Sequence, residues 1–114
     1  MTQLEKITLK NVAMSDGTEQ NLTVEVVPFN RRNDDHVDFA LAYSDMLAKL
    51  PSPFKTVTDA AVRAVELFMV HKEEDANDIN SPYYAVHADK RAARILFNTS
   101  STLQKSIFDF FENA

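Results

Sequence analysis

Two periodicities divide the chain. Between Leu4 and Phe29 apolar and polar residues alternate, whereas from Asn33 onward apolar residues recur every three or four positions. The first pattern marks strands buried on one face, and the second marks amphipathic helices. Asp16-Gly17 interrupts the alternating part and predicts a two-residue turn, because glycine accepts the positive φ of a type I′ turn. Pairing Ser15 with Thr18 sets Leu9 opposite Val24, Ile7 opposite Val26 and Asn11 opposite Leu22. The other face then carries Thr8 opposite Glu25, Lys10 opposite Thr23 and Lys6 opposite Val27. Apolar meets apolar and polar meets polar, so residues 4–29 are expected to form a β-hairpin covered on one face. Pro28 ends the pairing.

The helical part is expected over residues 33–113, built around a central helix at 57–72. Thr56 and Asp59 make a capping-box pair at its start, and Asp59 and Arg63 have the spacing of a surface ion pair. Val57, Ala61, Val62, Val65, Leu67, Phe68, Met69 and Val70 leave only a narrow polar stripe, so this helix must pack on more than one side. An earlier helix is predicted from Asn33 or Asp34 to Lys49, with Phe39, Ala42, Tyr43, Met46, Leu47 and Leu50 as its buried stripe. Asp45 and Lys49 are expected to pair on its outside, and Pro51 forces its end. Residues 73–81 read as a hydrophilic loop. Ser81-Pro82 then opens a helix to about Phe97. The rival reading makes Tyr83–Ala88 a third strand. Ser101 and Gln104 match a second capping box and start a last helix to about Glu112. Strand, strand and about four helices give an α+β single domain over 1–114, with the two kinds of element segregated.

Composition narrows the function classes. With no cysteine, disulfides, thiol nucleophiles and cysteine-ligated zinc are excluded. A single glycine rules out glycine-rich phosphate loops and dinucleotide fingerprints. The net charge of −5 disfavours general nucleic-acid binding. No apolar run approaches ~18 residues and no signal peptide is evident, so a cytoplasmic setting without a membrane segment is expected.

Three groups of residues carry candidate chemistry. Each histidine has an acid two positions on: His36 with Asp38, His71 with Glu73, His87 with Asp89. Imidazole and carboxylate together suit zinc, iron or manganese, but on a helix such pairs point about 200° apart and need tertiary folding to converge. His87, Arg91, Arg94 and Asn98 share a helical stripe flanked by Lys90, which could grip a phosphate or an acidic partner. Its bland alternative is a solvated face neutralised by Glu73, Glu74, Asp75 and Asp78. Finally, Phe108, Phe110 and Phe111 cannot share one face of a short helix. Leu103, Ile107, Phe110 and Phe111 are expected on one side, with Phe108 pointing elsewhere, and an outward aromatic suits an interface anchor.

The reading that follows is a small non-enzymatic protein–protein interaction module, which binds another protein or its own copy and needs no cofactor. Phe108, Phe111, His87, Lys90, Arg91 and Arg94 are its expected contact residues. Small cysteine-free domains of this character serve phages and mobile elements as accessory factors, among them assembly chaperones and inhibitors of host complexes. One alternative is a metal-dependent or acid/base enzyme using His36, His71 and His87; another is nucleic-acid binding through Lys90, Arg91 and Arg94.

Overall fold

The computed structural model describes residues 4–112. Strands β1 (Glu5–Ala13) and β2 (Glu19–Val26) form an antiparallel hairpin. Helices α1 (Asp34–Leu47), α2 (Val57–Phe68), α3 (Pro82–Ala88), α4 (Lys90–Thr99) and α5 (Ser101–Glu112) follow, with a 3₁₀ turn at Glu73–Asn77. The class is α+β, as the two periodicities predict. One core joins the hairpin to the helices: Ile7, Leu9, Val12, Val24 and Val26 meet Phe39, Ala64, Val65, Phe68, Val86, Leu96, Phe97 and Leu103.

The hairpin keeps the predicted faces but not the predicted register. Ile7 pairs with Val24, Thr8 with Thr23 and Leu9 with Leu22. That is a displacement by two residues, so Ile7, Leu9, Val24 and Val26 still point inward. One extra residue in the turn and one in the first strand account for it. The turn has three residues rather than two: Gly17 N–H donates to the Met14 carbonyl at 3.1 Å and Met14 N–H to the Thr18 carbonyl at 2.8 Å. Gly17 takes the positive φ (87°), which is the type I turn plus left-handed residue common in three-residue hairpins. A bulge then falls between Leu9 and Val12, where Asn11 adopts φ 59°. The bulge rotates the strand, placing Val12 in the core and Asn11 outside.

The central helix stops at Phe68, four residues before its predicted end. The chain turns extended at Met69 and lies along the free edge of β2. Val27 N–H donates to the Phe68 carbonyl (2.8 Å) and Val70 N–H to the Glu25 carbonyl (2.9 Å). An open strand edge is costly to leave bare, and these bonds satisfy it better than another helical turn would. The capping box at Thr56 forms as expected. Asp59 is drawn into it, accepting from the Lys55 and Thr56 amides, so Arg63 pairs with Glu66 instead (2.9 Å).

The helix expected over 82–97 is two helices. Tyr83–Ala88 is helical, not a strand, and the break comes at Asp89. Asp89 Oδ1 accepts from the Arg91 and Ala92 amides and caps α4, while Oδ2 accepts from Ala13 N–H of β1 (3.0 Å). At the end of α1, Lys49 takes φ 61° and Leu50 N–H bonds the Asp45 carbonyl (2.8 Å), a Schellman-type stop reached before Pro51 acts. Lys49 is thereby carried off the helix and forms no ion pair with Asp45.

The cap of α5 is Ser100 rather than Ser101. Ser100 Oγ accepts from Leu103 N–H (3.1 Å) and donates to Glu5 Oε1 (2.6 Å). Ser101 Oγ donates to Glu5 Oε2 (2.8 Å) and Thr102 N–H reaches Oε1 (3.3 Å). A carboxylate from the first strand therefore sits at the positive end of the last helix. Burial opposes its charge, but the bonds from Ser100, Ser101 and Thr102 outweigh that and hold Glu5 below the ordinary glutamate range.

Two expectations follow. Asn11→Gly should leave stability near wild type, whereas Asn11→Val should cost about 1–2 kcal/mol, because a β-branched residue resists the left-handed region. Urea denaturation of both variants decides between this and a bulge tolerant of any side chain. Glu5→Gln should cost about 1–2 kcal/mol in the same assay at neutral pH, the worth of a charged helix cap. No change would mean that Glu5 is solvated rather than capping.

Candidate interaction surfaces

The three histidines are not brought together. His36 is buried between α1 and the core, its ring 4.5 Å from that of Phe68 and 6.0 Å from that of Phe29. Its Nδ1 accepts the Asn30 amide (3.0 Å) and the ring also bonds the Leu67 backbone, so the neutral imidazole links α1, α2 and the loop after β2. Burial pushes its pKa below the usual imidazole value, against the opposing effects of Leu67 and Asp35.

His71 and His87 flank Tyr83. His71 stacks on the phenol ring at 3.8 Å and His87 lies at 5.8 Å. His71 Nδ1 donates to the Met69 carbonyl (2.8 Å), so it serves the extended turn after α2 rather than a helix terminus. His87 Nε2 meets Glu66 Oε2 at 2.7 Å, while Arg63 holds Oε1. Burial works against the ionised Glu66, yet hydrogen bonds from His87 and Arg63 win and lower its pKa. Burial and the same carboxylate raise that of Tyr83. With the aromatic ring between them, the two imidazoles act as a stacked brace joining α2 to α3. Among the described residues no group of three or more histidine, aspartate and glutamate side chains is placed to hold a metal ion.

The cationic stripe of α4 divides. Arg91 donates to the Asn11 carbonyl (2.6 Å) and, more weakly, to that of Lys10 (3.4 Å), supporting the bulge. Lys90 and Arg94 are exposed, and among the described residues neither has a carboxylate within ion-pair reach. The acids of residues 73–78 therefore do not neutralise this face by direct pairing. Asp75 instead accepts the Lys72 amide, and Asp78 that of Asn80.

Helix α5 buries Leu103 and Ile107 and rests Phe110 on Phe29, 4.9 Å between ring centroids, with the Arg31 guanidinium 5.8 Å from the Phe110 ring. Phe108 is 62 % exposed and Phe111 38 %. Phe111, expected on the inner side with Phe110, packs edge-on against that ring with centroids 5.3 Å apart, while its outer edge stays open next to Phe108, three positions away. A second outward apolar group comes from α1. Leu47 and Leu50 are exposed, not buried as their spacing suggests, and Leu50 lines a shallow cleft with Met46, Pro51 and Phe54. The core side of α1 is used up by Phe39 and Tyr43, whose rings pack on Phe68 and Phe97.

No described helix is long and apolar enough to cross a membrane. No protein-family model, curated protein or solved structure matches the chain.

His36 generates a pH prediction. Its folded pKa lies below the unfolded value of 6.5, so its stabilising contribution is complete above that value, and acidification removes it as pH falls from there past the folded pKa. His36→Asn should be clearly less stable than wild type at about pH 7.5, and the gap should narrow at about pH 5.5. Denaturant titrations at both values measure it. A constant gap would show that the imidazole is not held neutral.

Proposed function

We propose that the chain is a protein-interaction module that self-associates through α5. The observation that carries this reading is the pair of outward phenylalanines, Phe108 and Phe111, on one flank of the last helix. Single exposed apolar residues are ordinary on protein surfaces, but a largely exposed Phe108 beside the open edge of Phe111 is the kind of aromatic pair that anchors interfaces.

A second copy is favoured as the occupant because the flank is self-complementary in charge. Lys105 lies three positions before Phe108 and Glu112 four after it, both exposed and on the same rim of the helix. If two α5 helices lie antiparallel across a two-fold axis at Phe108, Lys105 of each copy falls beside Glu112 of the other. Among the described residues neither side chain has an ion-pair partner within the chain, so both are free to make that contact. One helix face buries less than a standard interface does, which implies a weak dimer in the micromolar range. The role we infer for such a module is that of a small accessory factor in the cytoplasm, in keeping with its cysteine-free composition.

Sedimentation velocity over a concentration series tests the reading. Wild type should pass from monomer to dimer with concentration, while Phe108→Ser/Phe111→Ser stays monomeric with an unchanged circular dichroism spectrum. Lys105→Glu should weaken the dimer, and adding Glu112→Lys should restore it. A wild type that is monomeric at every accessible concentration, or a double serine variant that still dimerises, overturns the proposal.

A further inference from the structure

The exposed side of α4 and the first turn of α2 enclose a groove of about 390 Å³, lined by Thr58, Lys90, Arg91, Arg94, Ile95 and Asn98. We propose that this groove binds a small phosphorylated anion of the diphosphate type. It is separate from the α5 flank and does not depend on self-association.

Its lining is unusual for this chain. Acids outnumber bases, 17 to 12, yet three of the six lining residues are cationic and none is acidic. Cations that serve solubility alone are interspersed with acids, whereas here Lys90 and Arg94 lack any carboxylate partner among the described residues. Arg91 is fixed in place by the carbonyls of Asn11 and Lys10, which leaves part of its five-donor fork for a ligand. The groove therefore has one cation already ordered, and less side-chain entropy is lost on binding. The hydroxyl of Thr58 and the amide of Asn98 add neutral donors. Thr58 is the second residue of α2, within the turn whose amides have no partner inside the helix. Arginine, lysine and short polar donors converging on one small volume match the oxygens of linked phosphoryl groups.

A compact anion suits the groove better than a nucleic-acid strand. No aromatic residue lines it, so bases have nothing to stack on. The net charge of −5 also repels an extended polyanion at long range, whereas a small ligand feels mainly the local cations.

Amide and side-chain NMR of the full chain, titrated with inorganic pyrophosphate, is the test. Resonances of Thr58, Arg94 and Asn98 should shift saturably, and Lys90→Gln/Arg94→Gln should weaken binding by about tenfold or more. Both substituted residues are exposed, so the variant should keep its dispersed spectrum. Absence of saturable shifts overturns the proposal, as does equal affinity in the variant. Shifts at these residues with a single-stranded oligonucleotide but not with pyrophosphate would also overturn it, in favour of strand binding.

Discussion

The close approach of α2 and α4 is the constraint on which the rest of the domain depends. It is the most extensive helix–helix contact in the chain. Ala60, Ala61 and Ala64 on α2 and Ala92 and Ala93 on α4 are all essentially inaccessible to solvent. Small side chains let two helix backbones come near, and the larger Val65, Phe68, Leu96 and Phe97 then close the space at either side. Fixing this pair leaves α2 to contact α1 and α3, while α4 and α3 carry the first strand of the hairpin. Phe39 and Tyr43 of α1 pack edge-on to Phe68 and Phe97. A core so filled with aromatic and alanine surface has no room for the last turn of α1 or for the outer flank of α5.

Irregular points of the fold are secured by side chain-to-backbone bonds rather than by ion pairs. Asp89 joins the α3–α4 break to β1, Arg91 supports the bulge, and Glu5 caps α5. His36 satisfies Asn30, and Ser106 of α5 accepts the Phe29 amide at 3.2 Å. Each of these bonds spans the places where a regular ladder stops, which is where unpaired amides and carbonyls arise. The polar residues of the chain thus divide by role. Those that meet backbone hold elements in register, whereas Lys90, Arg94 and Lys105 are exposed and form no ion pair among the described residues.

Local chemistry made the element types readable. Alternation, the Asp16-Gly17 turn, the Thr56 and Ser81 caps and the proline positions all act within a few residues, so they appear directly in sequence. Register and helix length did not, because distant partners set them. Asn11 leaves the core only because Val12 fits it and Arg91 holds the bulge. Met69 turns away from α2 because β2 offers its edge. Glu5 as a cap for residues nearly a hundred positions away has no local signal at all. Asp89 could have been read as a cap, standing as it does before a run of helix formers, but Ser81-Pro82 already supplied a start and no glycine or proline breaks the run to Phe97. Among the candidate contact residues, Phe108 was legible as an outlier on its helix. Phe111 falls at the border of the buried side, keeping its contact with Phe110 while its outer edge stays open, a division that spacing alone does not set. Tyr83, sandwiched by two histidines, and Thr58 at the groove were missed, because neither belongs to a spacing pattern.

What the arrangement implies about function follows from where the unsatisfied groups lie. The histidines, the obvious candidates for chemistry, are each engaged structurally: His36 by Asn30, His71 by Met69, His87 by Glu66. Among the described residues, two outer surfaces stand apart from these structural contacts: the phenylalanine flank of α5 and the cationic groove of α4. Both are borne by helices whose opposite faces are locked into the core by Leu103 and Ile107 in one case and Ala92, Ala93, Leu96 and Phe97 in the other. A rigid backbone that presents outward side chains lowers the entropy lost when a partner binds. Preorganised display of outward side chains is what the packing of α4 and α5 against the core provides.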